Sequence, residues 1–430
     1  MELNVDERRK LESLDRASLE RRQLERLNAT LGRAAAENPF YARKLTGVTL
    51  PLASLADLAT LPTTAKAELT ADCEPADLPA NRTWPIERYV RFHQTSGTHG
   101  RPMPVYDTAE DWQWWIGCWQ FVLDAAETTA ADRAMLAFSF GPFIGFWSAH
   151  DALVARGALV IPGGGMNSRA RLDLIERTRP TILLCTPTYA LHLVEVAAEC
   201  GFDLASSSVT RVIVAGEPGG SIPAVRERIE SAWQARVVDH AGASEVGPWG
   251  YADVERRGVH VLESEFIAEF QSVETGRPAG EGELSHLLLT SLGRYGLPII
   301  RYQTGDLVRP SWRGSGGNRF VLLEGGVLGR ADQMMIIRGV NIFPSAVEEI
   351  LRSFPDVVEY RLTARKRGAM DELLVEVEDQ RSAPERIAEA MSLRLGLKIE
   401  VALAPPASLP RFEGKGRRFI DERRRDEEPA

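Results

Sequence analysis

Between Ala134 and Gly242 the chain alternates short apolar runs with helical stretches, and this alternation limits the folds open to it. RAMLAF, GALVIP, PTILLCTP, VTRVIVAGEP and RVVDHAG are continuously apolar over their centres, with Gly, Pro or Asp as punctuation. Between them, RLDLIERTRP, TYALHLVEVAAECG and PAVRERIESAW read as helices. Strands without a polar face, joined by helices, predict a mainly parallel sheet covered on both sides. Such a sheet does its chemistry at the carboxyl ends of its strands.

The 430 residues predict two or three domains. Leucines at helical spacing from Leu11 to Leu31 mark an amphipathic N-terminal helix or helix pair. SLADLATLPTTAKAEL follows, with Thr63 and Thr64 as a cap signal. After Val259, VHVLESEFIAEF, GELSHLLLTS, LPIIRYQTGDLVRP and RFVLLEGG turn the texture towards a small β sub-domain, and WRGSGGN reads as a loop. From MMIIRGVNIFP onward, two helices and further strands form a compact α+β unit. The expected fold is therefore α/β. A large N-terminal domain, residues 1–328, has mainly parallel sheets flanked by helices plus a small β sub-domain; a hinge at 329–332 leads to a small mobile α+β C-terminal domain, 333–430.

A net charge of -9 argues against a nucleic-acid binder, whose affinity comes from neutralising phosphates. The charged N-terminus MELNVDERRKLESLDR and the lack of a long apolar run predict a cytoplasmic chain with no membrane span. Cys73, Cys118, Cys185 and Cys200 are scattered, without CxxC spacing, so neither a disulfide framework nor a structural zinc site is expected.

Several stretches have the composition of a site. TSGTHGRP offers hydroxyls and glycines that turn backbone N–H groups towards an anion; the local alternative is a hairpin turn. Arg101-Pro102 after Gly100 excludes the P-loop pattern. VVDHAGASE runs a strand into a turn bearing Ser244 and Glu245, read either as a carboxylate for Mg2+ or as the cap of a following helix. In RYQTGDLV, Asp306 suits ribose hydroxyls or a plain turn. LPRFEGKGRRFID places Lys415 between glycines, as a mobile charge for an anion or as a solvated basic turn.

In order, TSGTHGRP, GEP, DHAGASE, YQTGD, GRADQMMIIRGVNIFP and LPRFEGK resemble the adenylate-forming (acyl-CoA synthetase) superfamily, and within it the phenylacetate–CoA ligase family; NPFYARKL and PTTAKAEL resemble that family's N-terminus. The resemblance covers nearly the whole chain. It implies an aryl carboxylic acid–CoA ligase that forms an acyl-adenylate from ATP, releases pyrophosphate and AMP, and uses Mg2+ and coenzyme A. Thr95, Ser96, Gly97, Thr98 and Gly100 would hold the β/γ-phosphates. Glu217, His240, Ala241, Gly242, Ala243 and Ser244 would line the adenine, with Glu245 on Mg2+. Asp306 and Arg330 would take the ribose, Asp332 would be the hinge, and Lys415 would bridge substrate and α-phosphate.

Phe140, Phe143, Gly216 and Pro248 are the expected acyl pocket, and Arg338 and Lys366 the candidates for CoA phosphates. Three departures stand out. In the phosphate loop, His99 and Arg101 stand where the family commonly has Thr and Lys, with Arg101 keeping the charge. Ala241 replaces the family's usual aromatic residue, leaving the adenine face to His240 or elsewhere, and only His260 stands where some relatives carry zinc-binding cysteines, so no zinc is expected. The partner is a small carboxylic acid; WQWWIGCWQF reads as core or dimer-contact packing, which leaves a homodimer open. An acceptor other than CoA (an amine or a carrier-protein thiol) and a non-catalytic nucleotide-binding homologue are the alternatives.

Overall fold

A computed structural model of the protein describes residues 3–70, 78–95, 102–139, 141–337, 340–367, 370–412, 416 and 418–423. The apolar runs form strands Arg133–Leu136, Leu159–Pro162, Ile182–Cys185, Arg211–Ala215 and Arg236–Ala243. All neighbouring pairs among them are parallel, as the alternation with helices requires.

Their continuous apolarity has a direct cause. Ala134, Leu136, Leu184 and Ile213 point into one core, packed under helices Ala109–Ala125 and Ile144–Arg156. Met135, Leu183, Val212 and Val214 point into the other, under helices Ser168–Thr178, Pro187–Cys200 and Pro223–Trp233. Inward of the edge strand Leu159–Pro162, whose Leu159 is exposed, both faces are buried and there is no polar side to create a period of two. Trp112, Trp115 and Trp119 of the tryptophan-rich helix are all buried in the first core, so this segment packs inward.

Beyond Arg236–Ala243 the sheet continues antiparallel through Gly247–Ala252, Gly258–Val261, Leu322–Glu324 and Pro310–Ser311, making nine strands among the described residues. VHV and VLLEGG therefore extend the main sheet, where the sequence suggested a separate sub-domain. A strand's apolar pattern reports that it is buried, not which neighbour it pairs with. The smaller antiparallel sheet does exist, built from Phe266–Ser272, Ser285–Ser291, Tyr302–Val308 and Gly329–Arg330.

The last quarter of the chain forms its own core. Strands Glu400–Leu403, Met370–Asp379, Val357–Arg367 and Phe419–Asp421 make a sheet, covered by helices Pro344–Arg352 and Pro384–Leu395. No helix among the described residues is long and apolar enough to cross a membrane.

One N-terminal segment is placed by backbone pairing. Thr64 N–H donates to Arg301 O, and Gln303 N–H donates to Thr64 O, both at 2.9 Å. The Thr64 hydroxyl donates to Ile300 O at 2.8 Å, and the buried Tyr41 hydroxyl accepts from Ile300 N–H at 3.0 Å. The threonine pair thus docks on strand Tyr302–Val308 as well as leading into the short helix Lys66–Thr70. Tyr41→Phe leaves the Ile300 amide buried without its acceptor and should cost about 1–3 kcal/mol. Urea unfolding should show a lowered midpoint with an unchanged slope.

Candidate active site

Neighbouring parallel strands bring their carboxyl ends to one edge. The pairing of Ala215 with His240 sets Gly216-Glu217 beside the turn from Ala241 to Glu245. Gly216 and Gly242 are exposed there, with Gly216 at a left-handed φ of 96°. After Glu245 the chain does not enter a helix, so the helix-cap reading of Ser244 is displaced. Val246 N–H donates back to Ala243 O at 3.0 Å, and strand Gly247–Ala252 returns antiparallel, seating Gly242 against buried Pro248.

Glu245 is held from two sides. The Tyr302 hydroxyl donates to Oε1 at 2.8 Å, and the Lys66 ammonium lies 3.4 Å from the same oxygen. Lys66 arrives there because of the Thr64 pairing described above. Beneath the turn lies Arg294, with no exposed side chain. It donates Nη1 to the carbonyls of Ser244 at 3.0 Å and Glu245 at 2.9 Å, and Nε to Asp107 Oδ1 at 2.8 Å. Burial pushes the Asp107 carboxyl up to about 6, against the pull of Arg294.

Asp306 follows Gly305, whose φ is 79°; a Cβ there would lie 2.6 Å from Arg330 Nη2, so the close approach of Arg330 requires glycine. Arg330 reaches Asp306 Oδ1 at 3.3 Å and Asp332 Oδ1 at 3.3 Å. Burial pushes Asp306 up to about 6, with Arg330 opposing.

Thr95 closes an antiparallel hairpin: its N–H donates to Met103 O at 3.0 Å and its hydroxyl accepts from Met103 N–H at 2.9 Å. Just before it, Gln94 N–H donates to Pro142 O at 2.7 Å, which draws Pro142 to the loop end of this hairpin. Phe143 is 40% exposed at the start of helix Ile144–Arg156. Ser96, Gly97, Thr98, Gly100, Phe140, Arg338 and Lys415 lie outside the described residues. Lys366 is exposed on strand Val357–Arg367.

His240 is buried, its ring centroid 4.5 Å from that of Trp119 and its Nδ1 2.7 Å from Gly250 O. Burial lowers it to about 4. His260 is also buried, between Asp253 Oδ1 at 3.2 Å and Phe320 O at 3.0 Å. Glu217 has both oxygens engaged: Thr188 N–H donates to Oε1 at 2.8 Å and Gly416 N–H to Oε2 at 2.9 Å.

Sequence reasoning missed Arg294, Asp107, Tyr302, Lys66 and Asp239. Asp239 sits at the same strand end with its carboxylate taking the Ser221 hydroxyl, and burial raises it to about 6. Tyr302 adjoins QTGD and Lys66 lies in PTTAKAEL, so both stood inside motifs already singled out. Arg294 and Asp107 carried no local signal.

The AMP-binding enzyme model matches residues 43–278, and the AMP-binding enzyme C-terminal domain model matches residues 339–423. Phenylacetate–coenzyme A ligase of Thermus thermophilus is 32% identical over 96% of this chain and 99% of its own length. The chain belongs to the AMP-binding enzymes, in the phenylacetate–coenzyme A ligase family. Its Escherichia coli relative is 33% identical over 96% of this chain and 97% of its own. ATP and CoA are the co-substrates that membership of this family implies.

Among solved structures, 2-hydroxyisobutyryl-CoA ligase in the postadenylation state with 2-HIB-AMP superposes with a TM-score of 0.91, at 26% identity over 98% of this chain and 94% of that one. The same enzyme with 2-HIB-AMP and CoA in the thioesterification state gives 0.73, at 27% identity and the same coverage.

Removing Arg294 would leave Asp107 buried alone and two strand-end carbonyls without their donor. Arg294→Met should cost about 3–5 kcal/mol. Adding Asp107→Leu should recover part of that loss, which a double-mutant cycle by chemical denaturation reads directly.

Proposed function

We propose that the protein is an ATP-dependent aryl carboxylic acid–CoA ligase of the phenylacetate or benzoate type, working through an acyl-adenylate. The observation that carries this reading is the strand-end turn Ala241–Glu245, held by Arg294 and Tyr302 at one edge, in a chain aligned end to end with phenylacetate–CoA ligases. A substrate carboxylate oxygen attacks the α-phosphorus of ATP; the new C–O–P bond forms as pyrophosphate leaves. The CoA sulfur then adds to the acyl carbonyl as its thiol proton is lost to solvent, and AMP departs with the bonding electrons of the C–O bond.

Both partners in the first step are anions, so orientation and fixed positive charge lower the barrier. Thr95, Ser96, Gly97, Thr98 and Gly100 hold the β- and γ-phosphates, with Arg101 adding charge. Glu245 would hold Mg2+: its carboxylate stands at the strand end, and Oε2 accepts no hydrogen bond from the described residues. Bound Mg2+ would neutralise charge developing on the phosphate oxygens. Lys66, already beside Glu245, adds a cation on the same side.

Asp306 accepts the ribose hydroxyls, oriented by Arg330. Adenine lies along Gly216 and the Ala241–Ser244 backbone. Ala241 supplies no ring, and His240 is packed on Trp119, so the base is held by backbone more than by stacking. Phe140, Phe143, Gly216 and Pro248 bound the acyl pocket, and apolar burial suits an aryl group. Lys415 bridges the substrate carboxylate and the α-phosphate.

We place the domains at 1–328 and 333–430, with the hinge at 329–332 around Asp332. The better whole-chain superposition on the postadenylation state supports the adenylating pose for the C-terminal unit. Rotation about the hinge would carry Lys415 out and bring Arg338 and Lys366 towards CoA.

Pyrophosphate release with a panel of aryl acids should be acid-dependent, and addition of CoA should yield the thioester. Binding of AMP without turnover on any acid would refute a ligase; exchange without a CoA product would indicate an amine or carrier-protein acceptor. Lys415→Ala should abolish adenylation and spare thioester formation from supplied acyl-adenylate. The raised Asp306 adds a pH signature: its carboxylate accepts only when ionised. AMP affinity should therefore hold above about pH 6 and weaken on acidification below it, as calorimetry would show.

A further inference from the structure

We infer that Glu217 is a positioning residue that latches the C-terminal unit in the adenylating pose, its carboxylate bridging the Thr188 amide of the large domain and the Gly416 amide of the small one. Both oxygens are committed to these two amides, at 2.8 and 2.9 Å, which sets the carboxylate between two backbones and not on the adenine.

The large-domain half of the bridge is rigid. Thr188 lies in the first turn of helix Pro187–Cys200, where Pro187 brings no N–H and the unpaired amides favour an anion. Glu217 leaves the end of strand Arg211–Ala215 directly opposite. A charged acceptor makes the stronger class of hydrogen bond, so one carboxylate can hold two backbones at once.

The small-domain half is crowded. Arg418 Nη1 donates to the Thr188 hydroxyl at 3.0 Å, while Nε and Nη2 form a buried pair with Glu359 at 2.5 and 2.9 Å. A Cβ at position 416 would lie 2.2 Å from Arg418 Nη1 and 3.1 Å from Thr188 Oγ1. Only glycine lets the amide reach Glu217 while Arg418 keeps both partners. Arg411 with Glu195 at 3.1 Å, and Arg228 donating to Val357 O at 3.0 Å, dock the same two bodies elsewhere. Glu217 grips the residue next in sequence to Lys415.

Holding the Gly416 amide fixes the small domain against the large one, and rotation of the small domain gives this up at the cost of one hydrogen bond. The effect on rate rests on the adenylating function proposed above; the bridge itself does not.

Two variants attack the latch from opposite sides. Glu217→Gln keeps one acceptor and sets an NH2 against the other amide; Gly416→Ala displaces Arg418. Each should lower the kcat of acid-dependent ATP–pyrophosphate exchange by about tenfold or more, the size expected for a charged hydrogen bond. KM for ATP and thioester formation from supplied acyl-adenylate should stay at wild-type values. A raised KM with kcat preserved would make Glu217 an adenine contact, and equal loss in both half-reactions would make it structural; either overturns the latch. Amide hydrogen exchange provides a readout independent of turnover: the peptide carrying Gly416 should exchange faster in both variants. If the wild-type enzyme adenylates no acid, the functional reading fails, and unchanged exchange at that peptide sinks the latch separately.

Discussion

A guanidinium with no exposed surface holds the site together. Arg294 joins Asp107, on the hairpin strand Pro104–Thr108, to the carbonyls of Ser244 and Glu245 at the end of a parallel strand. Burying an ion pair is costly unless nearly every donor and acceptor is used. Here the cost is offset by the two carbonyls, which would otherwise be orphaned where the strand breaks off. The same bonds fix the backbone that carries Glu245, so folding stability and the geometry of the site come from one set of contacts.

Tyr302 and Lys66 extend this logic outward. Each approaches Glu245 from a different segment, and both are placed by the zipper in which Thr64 pairs with residues 300–303. Arg301 sits at a left-handed φ of 48° inside that zipper, a conformation costly for a side chain with a Cβ. Its guanidinium grips Glu269 and its carbonyl takes the Thr64 amide, and together these stabilise the strained residue.

The parallel half of the main sheet was legible because burial on both faces erases polar alternation, and that erasure is visible in VIVA or ILLC. The strand-end turns were legible because Gly and Asp must appear where strands stop. What escaped was pairing at a distance. Asp107 and Arg294 stand 187 residues apart, and Lys66 and Glu245 stand 179 apart. Neither member of such a pair looks unusual alone. The placement of VLLEGG failed for a similar reason, since an apolar strand fits the edge of either sheet. Glu217 was legible in GEP as an adenine-lining residue; that its oxygens meet two backbones only the assembled domains reveal.

His240 has an electrical consequence for the same edge. Gly250 O can only accept, so the proton sits on Nδ1, and burial keeps the ring uncharged down to about pH 4. The other nitrogen then carries a bare lone pair on the side of Gly242. At neutral pH the histidine contributes a fixed dipole to the floor of the site, and its net charge is set by carboxylates and by the lysines and arginines that answer them.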